Sequence, residues 1–359
     1  MRGIAAVFVC LHHGWLTIWP ETEGVSAPGL WHPLTIWLRY GHFAVTFFIV
    51  LSGYVLALQV VRFDNTLKGG PWEFYKRRAK RIIPPYWCAL VLSLIIDHFI
   101  RYPSHTIYDT LLPVTNKGIA THALMIHNVW SDTRQNINAP MWSVALEFQI
   151  YLTFPLMVWM AKRFGWLKCL GVVSLIAVPI YFAIRHSQYN YLMPMYYVFF
   201  AMGAVSVAAT NDSTLTRLRD LPWRAVIGVC SIAFLALLWK LGAHIYGAYV
   251  VPEVIFAVIA AAMLLVLAKN SGGWFVRALS WKPLRWLGAF SYSLYLIHVP
   301  VQQFIWQTIC DPLNTTPQVK FLVLEIVGTS IIVGMAFLFH VAFEKPFMST
   351  RQKLAEPKL

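Results

Sequence analysis

Charge is what this sequence has least of. Asp, Glu, Lys and Arg make up 12% of its 359 residues, about half the share found in a soluble globular domain. That excludes a chain wrapped in an ordinary water-facing surface. Acidic residues are the rarer sign, 15 against 29 Lys and Arg. Cysteine is scarce as well. Four of the five, Cys10, Cys88, Cys169 and Cys230, fall inside or at the ends of apolar runs, and Cys310 sits near a predicted outer boundary. A disulfide framework is therefore excluded, and with no CxxC or Cys/His spacing no metal is expected. The chain also lacks internal repeats, low-complexity tracts and an apparent cleavable signal peptide, so the first apolar run is expected to stay in place.

What fills the sequence instead is apolar: 58% hydrophobic residues and a mean hydropathy of +0.59. Runs such as FAVTFFIVLSGYVLALQVV and FLVLEIVGTSIIVGMAFLF are long enough to cross a bilayer as helices. Ten such spans are expected, near 4–19, 42–61, 82–100, 141–161, 167–184, 192–209, 223–240, 250–268, 286–306 and 319–343. The expected fold class is an all-α polytopic membrane protein, residues 1–359 forming a single transmembrane domain with no separate soluble domain. An even number of spans puts both termini on one side. With that side cytoplasmic, 22 of the 29 Lys and Arg fall in inner segments, and Arg39, Arg101, Lys117, Arg134, Arg185, Lys240 and Lys320 fall outside. Basic residues are retained on the cytoplasmic side, so this asymmetry sets the orientation. The positive charge is then a topology signal of a multi-pass cell-membrane protein surrounded by lipids, and it requires no nucleic-acid partner.

Ionisable side chains at bilayer depth cost several kcal/mol and face a bundle interior or cavity. In the opening MRGIAAVFVCLHHGW, Arg2 and His13 are eleven residues apart, three helical turns plus about 20°, so they share a face about 16 Å apart. His12 points about 80° away from Arg2. An arginine at the cytoplasmic rim is suited to a phosphate, with His13 further along the same face. Orientation charge and interhelical hydrogen bonds account for the pair equally well. In FYKRRAKRIIPPYW, Arg78 and Arg81 are three apart on one face, a spacing that fits a pyrophosphate or phosphate pair, although anionic headgroups fit it too.

The stretch MWSVALEFQIYLTFPL places Ser143, Glu147 and Tyr151 at i, i+4 and i+8, with Glu147 about 9 Å in from Met141. An intramembrane carboxylate reads first as functional, and a histidine beside it would make a general-base pair. The stretch LGAFSYSLYLIHVPV begins a second stripe, Ser291, Tyr295, His298 and Gln302, with His298 near mid-span; it lines a substrate path or bonds the bundle together. Glu253 and Glu325 stand alone without a local constellation.

Taken together these stretches resemble the acyltransferase-3 family of integral membrane acyltransferases. Arg2 and His13 match its Arg-x10-His, FIVLSG at 48–53 is similar to its FFxxSG, Arg78 and Arg81 match its RxxR, WSVALE at 142–147 looks like its WSxxxE, and SYSLYLIHVP at 291–300 looks like its late-span signature. The resemblance implies that an acyl group, most often acetyl, passes from cytoplasmic acyl-CoA to an outer acceptor, commonly a hydroxyl of a surface carbohydrate or lipid-linked glycan. It further implies that Arg78 and Arg81 contact CoA phosphates with Arg2 assisting. His13 becomes the essential histidine and Glu147 the essential carboxylate, with Ser52 and Gly53 shaping the cavity. Trp142, Ser143, Tyr295 and His298 are expected to line the substrate path. Two departures stand out: Ile49 replaces the second Phe of FFxxSG, and one residue precedes Arg2 where the family carries a short leader. The rival reading, a transporter or flippase of a lipid-linked saccharide, calls for alternating access, often built from inverted repeats, and none is visible.

Overall fold

The computed structural model describes residues 1–20, 25–103, 106–242, 250–270 and 272–349, and their regular structure is entirely helical. The helices are α1 (Arg2–Ile18), α2 (His42–Val61), α3 (Gly70–Phe99), α4 (Met141–Phe164) and α5 (Trp166–Ile184). They continue as α6 (Met195–Asn211), α7 (Trp223–Leu241), α8 (Val250–Lys269), α9 (Ser291–Ile305) and α10 (Pro317–Phe347). Among the described residues, eight helices are long and apolar enough to cross a membrane, those carrying α2 to α8 and α10.

The two remaining expected spans differ from the simple pattern. At 17 residues, α1 is about 26 Å long. The ninth span is broken: the helix Lys282–Ala289 stops at Phe290, whose φ of −113° and ψ of 19° leave the helical region, and α9 starts afresh. A π-helical stretch, Trp306–Cys310, then prolongs α9. The third span also differs. It was expected to open at 82 beside Pro84 and Pro85, yet α3 runs from Gly70 and carries both prolines inside. The basic stretch ahead of them consists largely of helix formers, buries Phe74 and makes an i,i+4 Glu73–Arg77 pair of 3.6 Å, so the helix is propagated through it. Arg78 and Arg81 thus stand on the helix itself. The basic residues expected at Arg351, Lys353 and Lys358 lie outside the described residues.

The chain folds into two compact units. Unit 1 is Met1–Ala44, Arg78–Leu146 and Trp281–Leu359; unit 2 is Val45–Arg77 and Glu147–Ser280. In unit 2 the enclosed element is α6, where Phe199, Phe200, Ala201, Ala204 and Val207 have no exposed surface. Along α7, by contrast, only Leu238 is buried, as suits a helix bathed in lipid. Gly53 of α2 and Gly203 of α6 make a close crossing. A Cβ on Gly53 would lie 1.9 Å from the Phe200 carbonyl oxygen, and one on Gly203 1.9 Å from that of Val50. Small residues at a helix crossing let backbones approach in the absence of a hydrophobic drive. Gly53, expected to shape a cavity, is thereby committed to packing. In unit 1, α1 packs against α9, the helix Lys282–Ala289 and the 3₁₀ segment Ile36–Gly41.

Candidate functional site

Each unit encloses a polar centre of its own. In unit 1 it grows from α1. His12 is buried, and its Nδ1–H donates to the Leu38 carbonyl at 2.7 Å, which ties α1 to Ile36–Gly41. His13, on the other face, is half-buried. Its ring centroid lies 5.2 Å from that of His298 and 6.3 Å from that of Tyr108. Among the described residues its Nδ1, though enclosed, meets no hydrogen-bond partner. The His13 carbonyl accepts from Thr17 Oγ1 at 2.8 Å and from the Tyr108 hydroxyl at 2.9 Å. The two adjacent imidazoles are therefore sorted: one is fastened to backbone and the other is left with an open nitrogen.

His298 carries the same signature. Its Nδ1 lies 2.7 Å from the Tyr295 carbonyl oxygen, and a carbonyl only accepts, so Nδ1 bears the hydrogen. In the neutral ring Nε2 is then the bare nitrogen, and among the described residues it has no partner. Gln302, one turn on, donates from Nε2 to the Cys10 carbonyl at 3.1 Å, bonding α9 to α1, and its Oε1 lies 3.2 Å from the Tyr108 hydroxyl, as a second acceptor for the hydrogen shared with the His13 carbonyl. Tyr295 meets the Ser143 hydroxyl at 2.7 Å. Trp142 stacks on His42 with centroids 5.9 Å apart and lies under the Arg134 guanidinium at 5.2 Å. The stripe read from the sequence thus divides its work: Tyr295, His298 and Gln302 enter the centre, while Ser291 donates back to the Gly288 carbonyl.

Glu325 joins this centre from α10. A Cβ on Gly14 would lie 2.2 Å from Glu325 Oε1 and 2.9 Å from Gln302 Nε2. The missing side chain at Gly14 is therefore what admits the carboxyl against α1. Both Glu325 oxygens are enclosed, and among the described residues neither has a hydrogen-bond partner. The carboxyl sits in a π-helical stretch, Val323–Gly328, a geometry frequent at functional sites.

The centre of unit 2 is Glu147. Ser52 and Tyr151 both donate to its Oε1, and the Tyr151 hydroxyl also lies 3.3 Å from Ser52 Oγ. Ser52 and Tyr151 are buried. A histidine was one partner considered for Glu147; the donors found within unit 2 are two hydroxyls. Deeper in the unit, Glu253 accepts from the Tyr196 hydroxyl at 2.7 Å.

On α3, Arg78 and Arg81 are half-buried, whereas Lys76, Arg77 and Lys80 around them are exposed. The two spaced arginines thus differ in burial from the basic residues around them. Arg2 is half-buried at the start of α1. Sequence reasoning missed Tyr108, which reaches the His13 carbonyl from the short helix Ile107–Leu111. No periodicity marks a lone tyrosine in a connection.

A family model described as an acyltransferase domain matches residues 1–343. The O-acetyltransferase OatA of Staphylococcus aureus is 27% identical over 307 residues, 77% of this chain and 48% of its own length. The peptidoglycan O-acetyltransferase OatA of Listeria monocytogenes is 23% identical over 354 residues, 89% of this chain and 54% of its own. The chain spans about half the length of these curated relatives. No solved structure matches.

Proposed function

The chain belongs to the acyltransferase-3 family, and on that premise we propose that it moves an acetyl group from acyl-CoA to a hydroxyl of a cell-envelope carbohydrate. Peptidoglycan glycan is the first acceptor to test, since the name of the Listeria relative specifies it. The reaction makes a C–O bond and breaks the thioester C–S bond. The hydroxyl proton leaves through a base and ends on the CoA sulfur. The observation that carries this reading is the pair of open imidazole nitrogens, His13 Nδ1 and His298 Nε2, on rings 5.2 Å apart. A bare, enclosed imidazole nitrogen is what general-base catalysis of a hydroxyl attack requires.

In this reading His13 takes the proton and His298 holds the second basic position. Glu147, fixed by Ser52 and Tyr151, supplies the essential carboxylate. Arg78 and Arg81 bind the phosphates of CoA from the cytoplasmic side, with Arg2 beside them; two guanidiniums at that spacing suit paired phosphate oxygens. The protein in proteoliposomes, given radiolabelled acetyl-CoA and a soluble peptidoglycan tetrasaccharide, should transfer label to the sugar. His13→Ala should abolish transfer without loss of protein from the membrane, and Arg78→Ala with Arg81→Ala should raise the acetyl-CoA KM about tenfold. Undiminished transfer by His13→Ala overturns the assignment of the base, and an unchanged donor KM in the double variant overturns the donor site.

A further inference from the structure

Beyond the two polar centres, unit 1 holds a cavity of about 510 Å³ at the end of α1, within the ~300–1,000 Å³ usual for small-molecule sites. Thr17 lies on its wall. Thr17 is one turn beyond His13, about 6 Å along the helix axis, and its hydroxyl donates to the His13 carbonyl. The cavity therefore ends one turn from the open imidazole.

Its rim is braced before any ligand arrives. The Arg101 backbone N–H donates to Gln307 Oε1 at 2.7 Å, and Gln307 Nε2 donates back to the Arg101 carbonyl at 3.0 Å. The Arg101 guanidinium bonds Asp311 Oδ2 at 3.0 Å. Lys320, its side chain only 19% exposed, donates to the carbonyl of the same Asp311 at 2.8 Å and stands 5.7 Å from the centroid of the Trp306 ring. The lining thus combines planar hydrogen-bonding groups, threonine hydroxyls and an indole with proline faces. That mixture suits a ring with hydroxyls around its edge and C–H groups on its faces. Two cations against one carboxylate leave the lining net positive.

We propose that this cavity seats the acceptor, a saccharide, and delivers one of its hydroxyls past Thr17 to His13, the positive lining favouring sugars that carry an acidic group. The inference rests on the acetyl-transfer reading above. Its test is steady-state transfer to the peptidoglycan tetrasaccharide by the full-length protein in proteoliposomes, with acceptor and donor varied separately. Thr315→Trp fills the cavity from an exposed position in a connection and should raise the acceptor KM at least tenfold, with the acetyl-CoA KM within twofold of wild type. Lys320→Gln, a milder change, should raise the acceptor KM threefold or more in the same one-sided way. An acceptor KM unchanged in Thr315→Trp, or equal rises in both constants, overturns the acceptor site while leaving acetyl transfer standing. A wild-type protein that transfers no label overturns acetyl transfer itself, and the acceptor site with it.

Discussion

Glu325 of unit 1 and Glu147 of unit 2 are treated in opposite ways. In unit 2, Glu147 receives two hydroxyl donors on one oxygen. In unit 1, Glu325 has none on either oxygen among the described residues, and the imidazoles of His13 and His298 each keep one open nitrogen. Buried polar groups in proteins are nearly always satisfied, and leaving one open costs about 1–3 kcal/mol. A cluster of several persists only where the surrounding fold holds it, and such places concentrate at sites of function. On the proposed reading, the contrast between these two carboxyls puts reactivity at the open imidazoles of unit 1 and fixed positioning at Glu147 of unit 2.

The sharpest way to break this contrast is to compare one removal in each unit. His298→Gln deprives unit 1 of the bare Nε2 and should lower kcat for acetyl transfer by about 10²–10⁴, the range of general acid–base contributions. Ser52→Ala removes one of two donors to Glu147 and leaves Tyr151 in place, so its cost should stay near tenfold, the scale of one hydrogen bond to a charged group. Equal losses, measured by label transfer in matched proteoliposomes, would erase the division between a reactive and a positioning unit.

A second comparison concerns how firmly the two units are packed. Gly203→Ala in unit 2 forces a methyl to within 1.9 Å of the Val50 carbonyl oxygen. Backbone cannot swing aside, so the overpacking cost should reach about 3 kcal/mol and lower the midpoint of thermal unfolding by several degrees. Gly14→Ala in unit 1 meets the end of the Glu325 side chain at 2.2 Å. That carboxyl is the end of a flexible side chain with no hydrogen-bond partner among the described residues, and only the Gln302 amide, 2.9 Å from the added carbon, has a bond to adjust, so the loss should be smaller, about 1–2 kcal/mol. A larger loss at Gly14 than at Gly203 would mean that the open centre is the more tightly built of the two.

Much of unit 1 was legible in the sequence because helical phase is local. The spacing of Arg2 and His13 separated His13 from His12, and the fold sets His12 against the Leu38 carbonyl and His13 towards His298. The 291–302 stripe likewise pointed inward. What phase does not carry is which helix answers. Nothing local says that Ser52 reaches Glu147 across 95 positions of sequence, or that Gly14 is missing a side chain to make room for Glu325. Breaks were hard to read for the same reason. The span expected to open at 82 starts at Gly70, with Pro84 and Pro85 inside α3, while the interruption at Phe290 falls in an apolar run two residues past Gly288.

A last comparison lies in the connection between α3 and α4, where unit 1 buries a second pair of histidines. His122 and His127 are buried and stacked with centroids 3.7 Å apart, and His122 Nδ1–H donates to the Gly118 carbonyl at 2.8 Å. Burial pushes the His122 imidazole down from 6.5 to about 4, against the raising effect of that carbonyl. The folded state therefore stays unprotonated there while the unfolded state takes up a proton as the pH falls below 6.5. Stability is unaffected above that value, declines between 6.5 and 4, and levels off below. The loss reaches about 1.4 kcal/mol by pH 5.5 from this group alone. Thermal unfolding of wild type and His122→Asn across that window tests it: the substitution should flatten the acid limb. A limb of unchanged slope would assign the acid sensitivity to other groups.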